Sequence, residues 1–555
     1  MVIYKSHLPN LQVPKSNVYS FVTSNPNKTP DTFPLLVDSS SQRVITFGDW
    51  KRDTRRWATG LKSIGFAPGD VLALFSFNQI DYSVTLFGPM ILGGACTTVN
   101  SSYSAGELAY QLKDSGASVL VTHSELLEVA IEGACLVGIS LDRIFLYGDQ
   151  TVQGFRPYTS LMPIESTPEN QLAQIANLDV KAVVETIAMI CYSSGTTGRS
   201  KGVELTHTNL SMNTLQTSAM QGPIHPHENP ILSILPMFHS YSIQMHMLSG
   251  VYNGQTNVVM ERFVFGDFLA SIQDYKVKTL NLVPPQVLML VKSPLVDNYD
   301  LSQVRQVMAA AAPCSKELVE ALLHKFPEVS FRQGYGMTEL SCASHLGLYE
   351  EIIIGSAGRV IPNQEVRVVD PETRQDVTPG DSGEVWVRGP NVMKGYRNNA
   401  KATRETIDSE GWLHTGDIAI VDSNENFFIV DRLKELIKNK GFQVAPAELE
   451  AVLLTHPQIL DATVIGIDKK EQATEVPLAF VVRRSSTLTE NQIIEFVTSR
   501  VANHKKLRGG VQFVDAIPKS ASGKILRKNL RSLLQHKMGQ QAQDKDKEEM
   551  FRARL

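Results

Sequence analysis

Apolar positions along the first part of the chain change their spacing repeatedly. Asp49 to Ile64 repeats every three or four residues and predicts a helix, and Asp70 to Phe75, after the Pro68-Gly69 turn, predicts a short strand. Gly106 to Ser115 returns to helical spacing before the apolar run Ser118 to Thr122. The longest apolar stretch, Val84 to Val99, is broken by Gly88-Pro89 and Gly93-Gly94 and is too short to span a membrane, so it reads as buried helix and turn. Strand-like runs recur at Ile187 to Tyr192, Ile231 to Leu235, Thr256 to Met260 and Thr279 to Val283. Such alternation predicts α/β layers with parallel strands. From Gly358 to Val421 the pattern shifts to short strands and frequent turns, among them Glu365 to Val369 and Gly383 to Arg388, which predicts a β-rich subdomain. Beyond the strand-like Phe427 to Asp431 and the densely charged Arg432 to Lys440, a fresh α+β pattern begins at Pro446, with helix to Leu454 and strands near Ala462 to Ile467 and Pro477 to Val482.

The expected organisation is a large N-terminal domain over 1–430, a hinge at 431–434, a small C-terminal domain over 435–536 and a solvated tail over 537–555. A chain of 555 residues with 43% hydrophobic and 20% charged positions can bury several cores. Its 53 lysines and arginines against 57 acidic residues leave a net charge of −4, so no basic field calls for nucleic acid or anionic lipid, and any anion must be bound locally. Five scattered cysteines without C-x-x-C spacing argue against a disulfide framework or a zinc site and fit a reducing, intracellular setting. The N-terminus shows no secretory pattern.

One segment carries distinctive chemistry: Tyr192-Ser-Ser-Gly-Thr-Thr-Gly-Arg-Ser-Lys-Gly-Val203. Gly195, Gly198 and Gly202 allow close backbone approach, Ser193, Ser194, Thr196 and Thr197 offer hydroxyls, and Lys201 adds charge, which together describe a polyphosphate cradle. It differs from a Walker A loop, because Gly202 rather than Ser or Thr follows the lysine. A strand leads into it, and a helix capped near Thr206 or Thr208 is expected after it.

This loop resembles the signature of the adenylate-forming superfamily of acyl-CoA synthetases, adenylation domains and beetle luciferases. Four further blocks match in order: Gln333-Gly-Tyr-Gly-Met-Thr-Glu339, His414-Thr-Gly-Asp417, Asp431-Arg-Leu-Lys-Glu-Leu-Ile-Lys-Asn-Lys-Gly-Phe-Gln443 and Pro518-Lys-Ser-Ala-Ser-Gly-Lys524. The chain is most similar to 4-coumarate:CoA ligase-like acyl-CoA ligases. The resemblance implies a two-step reaction: a carboxylic acid and ATP give acyl-AMP and pyrophosphate, then CoA gives acyl-CoA and AMP, with Mg²⁺ as cofactor. Joining two anions makes cationic positioning the chief catalytic requirement.

The resemblance implies these roles. Lys524 bridges carboxylate and α-phosphate, Asp417 and Arg432 grip the ribose, and Gln333, Gly334 and Thr338 line the adenine and α-phosphate site, with Tyr335 on the base. Glu339 and Thr197 contact Mg²⁺, without a dedicated protein cage. His239 guards the acyl carboxylate, Lys434 is the hinge residue, and Lys438, Lys440, Gly441 and Gln443 form the loop that replaces Lys524 when the C-terminal domain turns for thioester formation. Arg262 matches a CoA contact.

In the acyl pocket the family's Ser-Gly-Ala-Ala-Pro is Ala309-Ala-Ala-Ala-Pro313, so Ala310 brings a methyl group into the cavity. With Tyr241, Ser242, Pro285, Ala311 and Leu346 it describes an apolar slot with no evident buried charge or phenol-binding group. A medium-chain fatty, aryl-alkanoic or cinnamic-type acid is expected, the first two ahead of 4-coumarate, and an α-amino acid is disfavoured. The alternatives are a luciferase-like adenylate oxygenase and an inactive nucleotide- or acyl-CoA-binding homologue. The closing Ala553-Arg554-Leu555 has the small-basic-leucine chemistry of a peroxisomal import address, so a peroxisomal import receptor is an expected partner and a peroxisomal rather than cytoplasmic location is expected.

Overall fold

The protein is described by a computed structural model covering residues 2–193, 199–222, 224–439, 442–469, 474–520 and 523–534, with Phe442 and Gln443 described by backbone alone. The chain divides into two units. The larger holds residues 1–314, 318–415 and 420–428, and the smaller holds 315–317, 416–419 and 429–555.

Local sequence signals account for many of the elements. The helix Phe47–Ser63 begins with a capping box in which Thr46 and Asp49 bond each other's backbone, and Ala105–Ser115 begins the same way with Ser104 and Glu107. Thr206 caps the helix His207–Ala219 in a third such box. Each helix buries an apolar stripe, with Trp50, Trp57 and Leu61 of the first fully covered. Burial of this kind contributes roughly 1.5–3 kcal/mol per large side chain.

The larger unit contains two mainly parallel sheets. One runs in the order 395–396, 201–206, 187–193, 95–99, 71–75, 117–122, 144–146. The other, of nine strands, has 330–335, 306–309, 279–282, 231–233, 257–259 and 34–38 in adjacent positions, and its core gathers Phe268, Leu282, Val307, Leu322 and Phe331. A five-stranded sheet of 4–5, 365–369, 382–388, 413–421 and 427–432 forms the β-rich part. Its last two strands carry the chain into the smaller unit, where a hairpin of 437–439 and 442–444 precedes the helix Pro446–Leu454 and a three-stranded sheet of 459–469, 474–483 and 511–513. The fold is thus the layered α/β and β-rich large domain with a small α+β domain that the sequence pattern predicts.

Two elements differ from expectation. The stretch Val84 to Val99 is helix only to Ile91; its second half, Ala95–Val99, is a central strand paired on both sides, with Val71–Phe75 and Ile187–Ser193. A further strand, Lys201–Thr206, stands between the glycine-rich segment and the helix at His207. Among the described residues no helix is long and apolar enough to cross a membrane.

Candidate active site

In open parallel sheets, ligands meet loops at the carboxyl ends of the strands. Ser193 ends the strand 187–193, Ala310 and Ala311 follow 306–309, Gln333 to Tyr335 end 330–335, His239 follows 231–233 and Pro285 follows 279–282. Ser194, Gly195, Thr196 and Thr197 lie outside the described residues, as do Lys440, Gly441, the side chain of Gln443 and the tail with Ala553, Arg554 and Leu555. What is described of the cradle is its two ends: antiparallel pairing sets Ser193 opposite Lys201.

Those ends meet a buried carboxylate. Glu339 is 5% exposed, and its Oε1 accepts from Ser193 Oγ at 2.9 Å and from the Tyr396 hydroxyl at 2.9 Å. Burial and the Glu339 charge hold the Tyr396 phenol far above its ordinary titration range, so it remains a donor. Lys201 Nζ stands 4.2 Å from the Tyr396 ring centroid, a cation–π contact. Both hydroxyls bond Oε1, which leaves Oε2 for a cation. The group of three potential ligands found among the described residues, His123, Glu125 and Glu261, does not include Glu339. A single carboxylate oxygen beside a phosphate-binding segment suits Mg²⁺, which keeps phosphate and water oxygens in its shell.

The adenine-side residues sit close by in sequence and sheet. Gln333 is 7% exposed; its Oε1 accepts from Cys314 N at 2.9 Å, and its Nε2 is buried with no partner among the described residues. A buried amide donor left so costs roughly 1–3 kcal/mol and fits an acceptor nitrogen of a base. Gly336 admits nothing larger, since a Cβ there would lie 1.7 Å from Cys342 O. Tyr335 is half-buried, with its ring 5.6 Å from that of His345, and Thr338 opens a short 3₁₀ turn through Leu340. The turn is followed by Ser341 at φ 61° and Cys342 at φ 134°, and Ala311 stands at φ 72°. Left-handed backbone at non-glycine residues costs of order 1–3 kcal/mol and concentrates at functional sites.

Three of the residues expected in the acyl pocket share one cluster, which Ser242, Pro285 and Ala311 do not join. Tyr241 and Leu346 belong to one core cluster with Ala310 packed against it, and Leu346 pairs with Gly334. Tyr241 is 6% exposed and its hydroxyl has no partner among the described residues. Burial pushes that phenol well up, while Arg332 pulls the other way. Arg332, 4% exposed, is a buried charge of the strand 330–335: it donates to Met220 O and Gly347 O and lies 3.8 Å from the Tyr349 ring. The sequence pattern hid it because its guanidinium turns back on main-chain carbonyls. Ser242 is fully buried, with its hydroxyl engaged by His246 Nδ1 at 3.0 Å. His239 is half-buried and caps the short helix Ser240–Ser242, its Nδ1 accepting from Tyr241 N at 3.3 Å. Asn78, unnoticed in the sequence, braces this loop from below: its Oδ1 accepts from Met237 N and its Nδ2 donates to Leu235 O. Arg262 pairs with Glu125 and Glu261 and stacks over Phe77.

In the smaller unit, Asp417, 6% exposed, pairs with Arg432 Nε at 3.4 Å. A carboxylate braced by a guanidinium can accept two hydroxyl protons. Lys434 and Lys438 are exposed, and Lys438 pairs with Gln443 in the hairpin while its N–H donates to Glu475 Oε2 at 2.8 Å. Lys524 is half-buried, its N–H donating to Ser520 Oγ at 3.1 Å.

A lysine closing the glycine- and hydroxyl-rich segment, a buried carboxylate and an amide donor without a partner among the described residues are groups that suit a nucleotide-using enzyme. The chain belongs to the AMP-binding enzyme family: residues 22–397 match the AMP-binding enzyme domain and 448–524 its C-terminal domain. It is 40% identical to 4-coumarate–CoA ligase 2 of Nicotiana tabacum, over 96% of this chain and 97% of that one, and 41% identical to 4-coumarate–CoA ligase 1 of Petroselinum crispum, over 96% of each. The fold matches the anthranilate CoA ligase AuaEII in complex with anthranoyl-AMP at a TM-score of 0.84 and 23% identity, covering 94% of this chain and 98% of that one. It also matches ATP-bound MatB from Rhodopseudomonas palustris at 0.82 and 24%, covering 94% and 99%. The protein is an AMP-forming acid–thiol ligase that uses ATP with Mg²⁺ and takes CoA as co-substrate.

Proposed function

We propose that the acid is of the cinnamic or related aryl type. The carrying observation is the Tyr241 hydroxyl, buried without a partner among the described residues, in the core cluster that also holds Leu346 and packs Ala310. A ring-borne hydroxyl pairs with it, whereas an alkyl chain leaves it unsatisfied at roughly 1–3 kcal/mol. Relatives bearing the name 4-coumarate–CoA ligase at 40–41% identity support the same class. This reverses the order expected from sequence, where no phenol partner was visible. A medium-chain fatty acid is the second reading, favoured by the Ala310 methyl and the apolar wall that Leu346 and Met245 give the cluster.

In this reading Lys201 and the hydroxyl segment hold the polyphosphate, Glu339 with Thr197 contacts Mg²⁺, and Gln333, Gly334, Tyr335 and Thr338 take the adenine end. Asp417 and Arg432 grip the ribose, and Lys524 joins carboxylate to α-phosphate. Residues 431–434 then act as a hinge, and 435–536 turns to present Lys438, Lys440, Gly441 and Gln443 for thioester formation, with His239 guarding the acyl carboxylate and Arg262 meeting CoA. Pyrophosphate release across 4-coumarate, cinnamate, phenylacetate, hexanoate and octanoate, with and without CoA, tests this. The hydroxycinnamate should lead, and Tyr241→Phe should cut its advantage over cinnamate by about three- to tenfold. Octanoate turned over faster than both cinnamic acids would defeat the reading.

We also infer that Ala553-Arg554-Leu555, where a chain ends on it, acts as a peroxisomal address. A fluorescent fusion ending in the tripeptide should enter peroxisomes, and one lacking Leu555 should not; identical distributions would refute it.

A further inference from the structure

The turn that carries Lys524 is fastened at both of its ends by ion pairs. Leu526 N donates to Pro518 O at 2.9 Å, Lys519 bridges Ile525, and Ser520 N donates to Lys524 O at 2.8 Å. Gly523 sits at φ 79°, a left-handed conformation that places Lys524 at the turn's end. On the entering side Lys519 Nζ meets Asp461 Oδ2 at 2.6 Å, with both side chains about three-quarters covered, at 23% and 27% exposure. On the leaving side Arg527 Nη2 meets Glu450 Oε1 at 2.7 Å, at 15% and 12% exposure, and its Nε donates to Val464 O at 3.3 Å.

The second fastening is the more heavily built. Glu450 Oε1 also accepts from Thr463 Oγ1 at 2.6 Å and Val464 N at 2.9 Å, so the acceptor is fixed to the sheet before Arg527 reaches it. Asp431 contributes a second negative charge near Arg527 and is itself held by Arg432 N and Ala447 N. Burial alone would lower the Arg527 pKa, yet Glu450 and Asp431 outweigh it. One turn further along the helix, Arg531 pairs with Glu435 at 2.5 Å. Asp461, Glu450, Thr463 and Glu435 carry no substrate role above, whereas Asp431 stands in the expected hinge beside the ribose residue Arg432.

We propose that Arg527 is a positioning residue for adenylation, holding the Lys524 turn on Glu450 so that the lysine arrives preorganised between carboxylate and α-phosphate. A displacement of about 1 Å in a group that aligns reactants costs about a hundredfold in rate. The inference rests on the role given to Lys524 above, and the two half-reactions separate it from a merely structural one. Thioester formation from supplied acyl-adenylate does not use Lys524 in that reading, so it should be indifferent to Arg527.

The experiment uses the full chain and four variants, Arg527→Met, Arg527→Lys, Lys519→Met and Lys524→Ala. Acid-dependent exchange of pyrophosphate into ATP measures the first step, and CoA thioester formation from synthetic cinnamoyl-adenylate measures the second. Arg527→Met should lower the exchange kcat by about ten- to a hundredfold with little change in the KM for ATP, while thioester formation stays within about threefold. Arg527→Lys, which keeps the ion pair and loses the Val464 contact, should recover part of the loss, and Lys519→Met should show the same split more weakly. Equal loss in both steps, or unchanged exchange, overturns the proposal. If Arg527→Met fails to fold, Arg527→Lys decides by the same split. Unchanged exchange in Lys524→Ala would instead bring down the role of Lys524 and this inference with it.

Discussion

Replacing Tyr396 by Phe removes one hydroxyl and leaves the ring. The ring still offers its face to Lys201 Nζ, 4.2 Å away, so the lysine keeps its seat. What disappears is the 2.9 Å bond from the phenol to Glu339 Oε1, one of two hydroxyl bonds to a carboxylate that is 5% exposed. A hydrogen bond to a buried charged group is worth roughly 1.5–3 kcal/mol, and with one tenfold per 1.4 kcal/mol that is a loss of about 10- to 150-fold if the bond fully supports the transition state. Glu339 should then be less well aimed at its cation, so the magnesium concentration giving half-maximal pyrophosphate release should rise while thioester formation from supplied acyl-adenylate is unchanged. Ser193→Ala should act in the same direction, and the double variant should lose less than the product of the two, because the donors share one oxygen. Pyrophosphate release by Tyr396→Phe within twofold of the parent at every magnesium concentration would refute the assignment of this cluster to the metal.

Gly334→Ala places a Cβ 2.7 Å from Leu346 Cδ2, so the leucine must swing toward the acyl slot. Overpacking of this kind costs about 1–3 kcal/mol, and the change should appear as a selective loss of the bulkier acids in the substrate panel. Burial holds His207 at about 4 and His246 and His345 at about 3, below the roughly 6.5 of an unfolded chain. The folded state therefore binds fewer protons between those values. Stability is fully present above about pH 6.5 and is lost as pH falls, by roughly 2 kcal/mol per histidine at about pH 5. Urea midpoints measured across that interval should fall steeply, and His345→Phe, which keeps an aromatic ring between Tyr335 and Phe427, should flatten the slope by about a third of the three-histidine contribution.

What could be read from the residues alone divides along physical lines. The helix start at Thr206 was legible because capping is local, the threonine and its reciprocal partner Asn209 lying three residues apart, whereas the caps Thr46 and Ser104 stand ahead of the starts expected at Asp49 and Gly106. The strand Ala95–Val99 was not, because it is buried on both faces and continues an apolar helix without a change of period, the case in which periodicity is silent. Glu339 and Lys201 were found through the blocks that contain them. Tyr396 was missed because it sits on a two-residue edge strand whose meaning comes only from pairing with Val203. Arg527 and Glu450 lie 77 positions apart, so their partnership exists only in the fold. The orphaned Tyr241 hydroxyl belongs to the same class: a residue's name declares its donor, but only packing shows whether anything satisfies it.

The pairing of Ser193 with Lys201 fixes how many residues join the two strand ends. A replacement of equal length leaves Ser193 opposite Lys201. One residue more or fewer either bulges or slips the hairpin, and a one-place slip would turn every side chain of the strand to the opposite face. Ile190 and Cys191, 0% and 3% exposed, would trade faces, and Tyr192 would lose the hydroxyl contact it makes to Asp114 at 2.7 Å. The sheet thereby constrains the length of a segment whose composition answers to a different demand, the holding of phosphate.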